Sequence, residues 1–132
     1  MAYLLDTSIV SDLVRRPDGR AAAMLERTGD EPAAISIITA AELRYGAERR
    51  HSARLSAQLE LILGYLEVLP LAIPVDREYG KLRAGLEGEG KPIGQHDMLI
   101  AAHALALGYV LVTSNEREFA RVRGLRIENW LK

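Results

Sequence analysis

The chain has 132 residues, 48% of them hydrophobic and 27% charged, a formal net charge of −1 and no cysteine. That length and balance suit one compact domain over residues 1–132, and the missing thiols exclude disulfides and thiolate metal sites. A near-neutral charge lacks the basic signature of a general nucleic-acid binder, while no basic-apolar leader or spanning apolar run is visible, so a cytoplasmic protein outside the membrane is expected.

In chain order, "AYLL" is predicted as a strand, and "SIVSDLVR" starts a helix that ends before Pro17. "AAISI" reads as a second strand, followed by a helix through "TAAELRYGAERR". "SARLSAQLELILGYLEVL" places Leu55, Leu59, Ile62, Leu63 and Leu66 on one side of a helix closed by Pro70. "LAIPV" is expected as a short edge strand and "DREYGKLRAGLEG" as the next helix. "DMLIAAHALAL" is apolar nearly all round, hence a buried helix, stopped by Gly108. "YVLVT" is a strand, "NEREFARV" a short helix and "LRIENW" a closing strand. This alternation predicts an α/β fold with a mainly parallel central sheet flanked by helices in three layers.

In such sheets ligands bind beyond the C-terminal ends of the strands. Asp6 follows "YLL", Glu42 lies in the turn after "AISI", Asp97 opens the buried helix, and Asn115 follows "YVLVT". Carboxylates converging on one cavity repel one another and call for a divalent cation, and oxygen-only ligation suits Mg²⁺ or Mn²⁺. Such ions activate water for phosphodiester hydrolysis. Each residue also suits helix capping: "TAAE" from Thr39 to Glu42 and "TSNE" from Thr113 to Glu116 fit capping boxes, Asp6 could cap the first helix, and Asp97 is an acceptable first-turn acid. Capping does not explain an acid or amide after four different strands. Both readings stand open at this level.

The stretches "LLDTSIVSDL", "SIITAAELRYGA" and "GKPIGQHDMLIAAHALALGYVLVTSNEREFARVRGLRIENW" closely resemble the VapC toxins of the PIN-domain ribonuclease family. The resemblance spans nearly the whole chain and implies a PIN domain acting as the toxin of a type II toxin-antitoxin system. It implies an endoribonuclease that cleaves structured RNA, such as transfer or ribosomal RNA, with Mg²⁺ as cofactor and Mn²⁺ able to substitute. It further implies a VapB-type antitoxin, operator DNA met only through the antitoxin complex, and a homodimer. By position, the family's acidic trio falls on Asp6, Glu42 and Asp97 as catalytic and metal-binding residues. Asn115 takes the fourth corner, where the wider family often has aspartate. Thr113 and Ser8 are candidate hydroxyl partners, and Glu116 is a candidate for the missing charge.

The alternative is a PIN fold serving as a non-catalytic interaction module. A receiver domain would need a lysine after "YVLVT", and a haloacid-type phosphatase a second aspartate in "DTS"; neither is present. Positive charge is mostly arginine, grouped at Arg15, Arg16 and Arg20, at Arg44, Arg49, Arg50 and Arg54, and at Arg117, Arg121, Arg123 and Arg126. Guanidinium groups suit phosphate, though solvated helix faces explain each group alone. His103 and Trp130 are expected in the core, and His51 and His96 at the surface.

Overall fold

The computed structural model of the chain describes residues 1–132. Five strands form an all-parallel sheet: β1 (Tyr3–Leu5), β2 (Ala33–Ser36), β3 (Glu67–Leu69), β4 (Val110–Val112) and β5 (Ile127–Glu128), in the spatial order β3-β2-β1-β4-β5. Central β1 pairs with β2 at Tyr3↔Ala33 and with β4 at Leu5↔Val112. Seven helices connect them: α1 (Thr7–Arg15), α2 (Arg20–Arg27), α3 (Ile37–Arg50), α4 (Ala53–Tyr65), α5 (Val75–Gly88), α6 (Gln95–Leu107) and α7 (Glu116–Phe119).

The unbroken apolar run of β1 follows from burial on both faces. Tyr3 and Leu5 join one core with Ile9, Val10, Leu59, Leu63 and Trp130, under α1 to α4. Leu4, pointing the other way, joins Leu86, Ile100, Leu111 and Phe119 under α5 to α7. β4 repeats the pattern, with Val110 and Val112 on the first side and Leu111 on the second. Three layers result, as expected. Each fully buried leucine contributes about 1.5–3 kcal/mol of transfer free energy, and Leu4, Leu5 and Leu111 are all at 0% exposure.

Three local expectations are corrected. The helix predicted to run to Leu69 ends at Tyr65, and Glu67–Leu69 form β3 instead, paired with β2 at Ile35↔Val68. Pro70 lacks the N–H needed to extend that strand and biases Leu69 toward extended backbone, so "LAIPV" becomes a turn leading into α5 rather than a strand. Helix α2 was not foreseen; it buries only Ala21 completely. α7 is a single turn that ends at Phe119.

Buried contacts join the elements that carry the polar residues. His103 of α6 sits with Nδ1 2.9 Å from Ser36 Oγ, which also accepts from Ile38 N at 3.1 Å and so caps α3. Burial lowers the His103 pKa, against a backbone hydrogen bond with Pro70 that raises it. α6 closes at Gly108, whose φ of 71° is the left-handed conformation glycine adopts without a Cβ penalty. Trp130 packs edge-on against Tyr3 at 5.3 Å between ring centroids, the core role expected of it.

Candidate active site

β1 and β4 end side by side, and their first non-strand residues are polar. Asp6 N donates to Val112 O at 2.8 Å, the last rung of the ladder. Asp6 occupies the N-cap position of α1, yet its carboxylate makes no capping hydrogen bond. Instead Thr113 Oγ1 donates to Asp6 Oδ2 at 2.7 Å, and Ser8 Oγ lies 3.5 Å from the same oxygen. Ser8 Oγ accepts from Ser114 N at 3.1 Å, and Thr113 Oγ1 accepts from Asn115 N at 3.0 Å. Two cross-links thus fix the Asp6 turn to the β4 turn. Only 5% of Asp6 is exposed, and burial raises its pKa against the lowering effect of the Thr113 bond.

Glu42 projects from the second turn of α3. Thr39, expected to form a capping box with it, is a fully buried residue inside the helix, and the cap is Ser36. The Glu42 carboxylate is therefore free of capping duty. Its Oε1 accepts from Thr7 Oγ1 at 2.7 Å, and its Oε2 lies 3.3 Å from His96 Nδ1. His96 is surface-exposed, as expected, but it also faces the acidic group.

Asp97 lies in the first turn of α6, half-buried, after a Gly94 on which a Cβ would sit 3.4 Å from Asp97 Oδ2. Its pKa is pushed up to about 6, first by burial and then by the charges of Asp6, Glu118 and Glu42 and a hydrogen bond with Glu118. Those causes show that the four acids share one field.

Glu118 was not among the expected residues. Its carboxylate accepts from Asn115 Nδ2 at 2.8 Å, so the Asn115 amide orients an acid at the fourth corner. Glu116, the expected substitute, faces elsewhere: Lys132 Nζ is 2.7 Å away and Asn129 Nδ2 donates at 3.2 Å, and these contacts hold its pKa down. The N-cap residue of α7 is Asn115 rather than Thr113, and its side chain makes no capping hydrogen bond but is spent on Glu118. The i, i+3 spacing of Asn115 and Glu118 in "NERE" was the signal for that pair.

No lysine or arginine pairs with Asp6, Glu42, Asp97 or Glu118; the one basic side chain within pairing distance of them is the imidazole of His96. No three histidine or carboxylate side chains stand close enough together to hold a metal ion by themselves. Oxygen donors without a lysine or arginine partner, two of them, Asp6 and Asp97, with raised pKa, fit a hard divalent cation, which retains several waters and does not need an all-protein cage. The donor chemistry offers no thiol and one peripheral imidazole, so softer metals are poorly matched.

The PIN domain family matches residues 3–125. The chain is 40% identical to the Ribonuclease VapC2 of Haemophilus influenzae, with 99% of both chains covered. It is 35% identical to the tRNA(fMet)-specific endonuclease VapC of Shigella flexneri, with 98% of both covered. The crystal structure of VapBC2 from Rickettsia felis bound to a promoter DNA fragment superposes with a TM-score of 0.92 at 36% identity, covering 98% of this chain and 99% of that one. With acids gathered at one end of a parallel sheet, a PIN-domain match over residues 3–125 and full-length similarity to VapC ribonucleases, the chain belongs to the PIN-domain family as a VapC-type member.

Proposed function

We propose that the protein is a divalent-cation-dependent endoribonuclease and the toxin of a VapBC pair. The observation that supports this reading best is the group of four carboxylates without a lysine or arginine partner. Asp6, Glu42 and Asp97 are the proposed ligands for Mg²⁺, with Mn²⁺ able to replace it, and Glu118, steered by Asn115, completes the acidic corner. When bound, the cation supplies an activated water and offsets charge on the phosphodiester.

The chain's own residues do the rest. Thr113 holds Asp6 and Thr7 holds Glu42 through single hydrogen bonds, which keeps the carboxylates from rotating apart under their mutual repulsion. His96 lies at the open edge as a donor toward Glu42 or an incoming phosphate. Residues 1–132 act as one catalytic domain, because both cores share the sheet that carries the site.

The substrate is structured RNA, with transfer RNA the first candidate because the Shigella flexneri relative is a tRNA(fMet)-specific endonuclease. A VapB-type antitoxin is the proposed inhibitor, placing a basic group against the unpaired acids, and operator DNA is met through that complex. A homodimer is the proposed assembly. No helix is long and apolar enough to cross a membrane.

Purified protein should cleave initiator transfer RNA with Mg²⁺ or Mn²⁺ and lose activity in chelator. The products should carry 5′-phosphate and 3′-hydroxyl ends, as water attack requires; cyclic phosphate ends would overturn the mechanism. A folded protein that binds antitoxin yet cleaves no RNA under any divalent cation would favour the interaction-module reading.

A further inference from the structure

From Met98 to Leu107 every residue of α6 but His103 is apolar, and Ile100 to Ala104, more than one full turn, are all buried. Beyond its first turn the helix therefore has no polar face to fix its rotation, and its alanines offer little shape to interlock. Yet rotation matters to the site. A slip by one residue would turn the helix by about 100° and carry Asp97 about 1.5 Å along the axis. Apolar burial alone does not forbid it.

The one polar residue in that stretch makes a directional contact. His103 is 1% exposed, and its Nδ1 lies 2.9 Å from the Oγ of a Ser36 that is 0% exposed. The ring also hydrogen-bonds the Pro70 backbone, where a carbonyl is the only group on offer, so a neutral ring donates there and accepts the Ser36 hydroxyl proton at Nδ1. Ser36 in turn accepts from Ile38 N at the start of α3. The spacing then links this bridge to the acids. Glu42 lies six residues after Ser36 on α3 and Asp97 six before His103 on α6, each about 9 Å from the bridge along its helix. His96 meets Glu42 at 3.3 Å, so the two helices run in opposite senses over this stretch, with the bridge at one end of their seam and the acids at the other.

We propose that the His103–Ser36 bridge is the register pin of α6, and that both are positioning residues holding Asp97 opposite Glu42. The inference rests on the reading of those two acids as metal ligands. Stability does not account for the pair, because a buried hydrogen bond contributes little net against a well-packed apolar replacement, whereas a buried polar contact selects one alignment among several of similar burial. An apolar residue at position 103 would be equally well buried in any of them.

Two substitutions at one position separate the roles. His103→Leu fills the space and loses the bond; His103→Asn keeps an acceptor near the Nδ1 position but leaves a cavity and buries an extra amide. The pin predicts opposite rankings. The leucine variant should have the higher Tm, and the asparagine variant the tighter Mn²⁺ binding, read from the electron paramagnetic resonance signal of free Mn²⁺. Leucine should weaken Mn²⁺ binding and lower kcat/KM by ~10–100-fold, the range for lost supporting partners, while asparagine stays within about threefold of wild type. A further readout needs neither metal nor RNA. The chain has no cysteine, so spin labels attached through Glu48→Cys on α3 and Leu107→Cys on α6 report this helix pair alone. Their distance distribution should broaden with leucine and stay narrow with asparagine. Unchanged distances and Mn²⁺ binding in the leucine variant overturn the proposal. So does a broadened distribution with Mn²⁺ binding intact, which would detach the bridge from the acids. Losses that follow Tm, with asparagine the worse variant in every readout, mark a purely structural role and overturn it as well. Wild-type protein that binds no Mn²⁺ removes the metal reading and leaves the distances to judge the pin, whereas protein that binds Mn²⁺ but cleaves no RNA removes only the ribonuclease reading.

Discussion

The two halves of the acidic site are built to opposite standards. The Asp6 half is sealed: 5% exposure, a buried Thr113 hydroxyl at 2.7 Å, and a second tie from Ser8 to the backbone of Ser114. The Glu42 half is open, with a side chain 29% exposed beside a His96 that is 63% exposed. Both halves use a threonine hydroxyl at 2.7 Å, yet the surroundings give the two bonds different weight. A hydrogen bond to a buried charge is hard to replace, because water cannot reach the vacated position; at the open half it can. The sealed half therefore fixes its carboxylate more firmly than the open half does.

The largest expected effect removes a charge. Asp6→Asn or Asp97→Asn should lower kcat/KM by more than the ~10–100-fold typical of changes to supporting partners, with far-ultraviolet circular dichroism unchanged. Retention of cleavage in either variant would remove that residue from the site.

Threonine substitutions test the contrast directly. Thr113→Val should cost ~10–100-fold in activity and about 1–3 kcal/mol in stability, since Asp6 loses its closest donor in a site closed to water. Thr7→Val should cost only a few-fold and shift Tm little, because water can take over the bond to Glu42. Equal losses in kinetics and chemical denaturation would show that exposure does not distinguish the halves.

α7 offers a finer comparison, between glutamates two residues apart. Glu118→Gln should raise the Mg²⁺ concentration for half-maximal cleavage about tenfold by weakening an acidic ligand field, whereas Glu116→Gln should leave that titration unchanged. Reversed outcomes would return the fourth charge to Glu116.

The smallest effect is in pH dependence without divalent cations. Asp97 has its folded pKa raised from 3.8 to about 6, so the folded state holds a proton that the unfolded chain has released. Its contribution is full below pH 4 and is lost as pH rises through 6, and Asp6, also raised, acts in the same direction. For a half-buried group subject to solvent screening the loss is about 1 kcal/mol. Melting curves in EDTA from pH 4 to 7 should show this decline, and Asp97→Asn should flatten it.

Much of this was legible in residue order. "YLL" announced a strand covered on both faces, and Asp6 and Asn115 marked turns where parallel strands hand over to helices, with Glu42 in the helix that follows β2; Asp97, expected after a strand, instead opens α6, which follows α5 through a loop. Glu118 was hidden because Thr113–Glu116 satisfies the capping pattern two residues early, and only the tertiary bond from Thr113 to Asp6 breaks that frame. β3 was hidden because Leu66 to Leu69 prolong the apolar run of α4, and strand pairing with β2 decided a segment whose local preference was undivided. α2, eight residues long, is too short to stand on propensity and depends on packing against the core through Ala21.

The position of β1 at the centre of the sheet sets a timetable for the site. Asp6 is made 107 residues before its hydroxyl partner Thr113, and β1 is flanked by the nearby β2 on one side and the much later β4 on the other. Closing so long a loop is a late and slow event in folding. A nascent chain that has not yet extruded Val110 to Thr113 leaves one edge of β1 open and the Asp6 carboxylate in water, so the growing polypeptide carries no assembled cutting centre near the ribosome. Competence arrives in a single late step, when β4 docks beside β1.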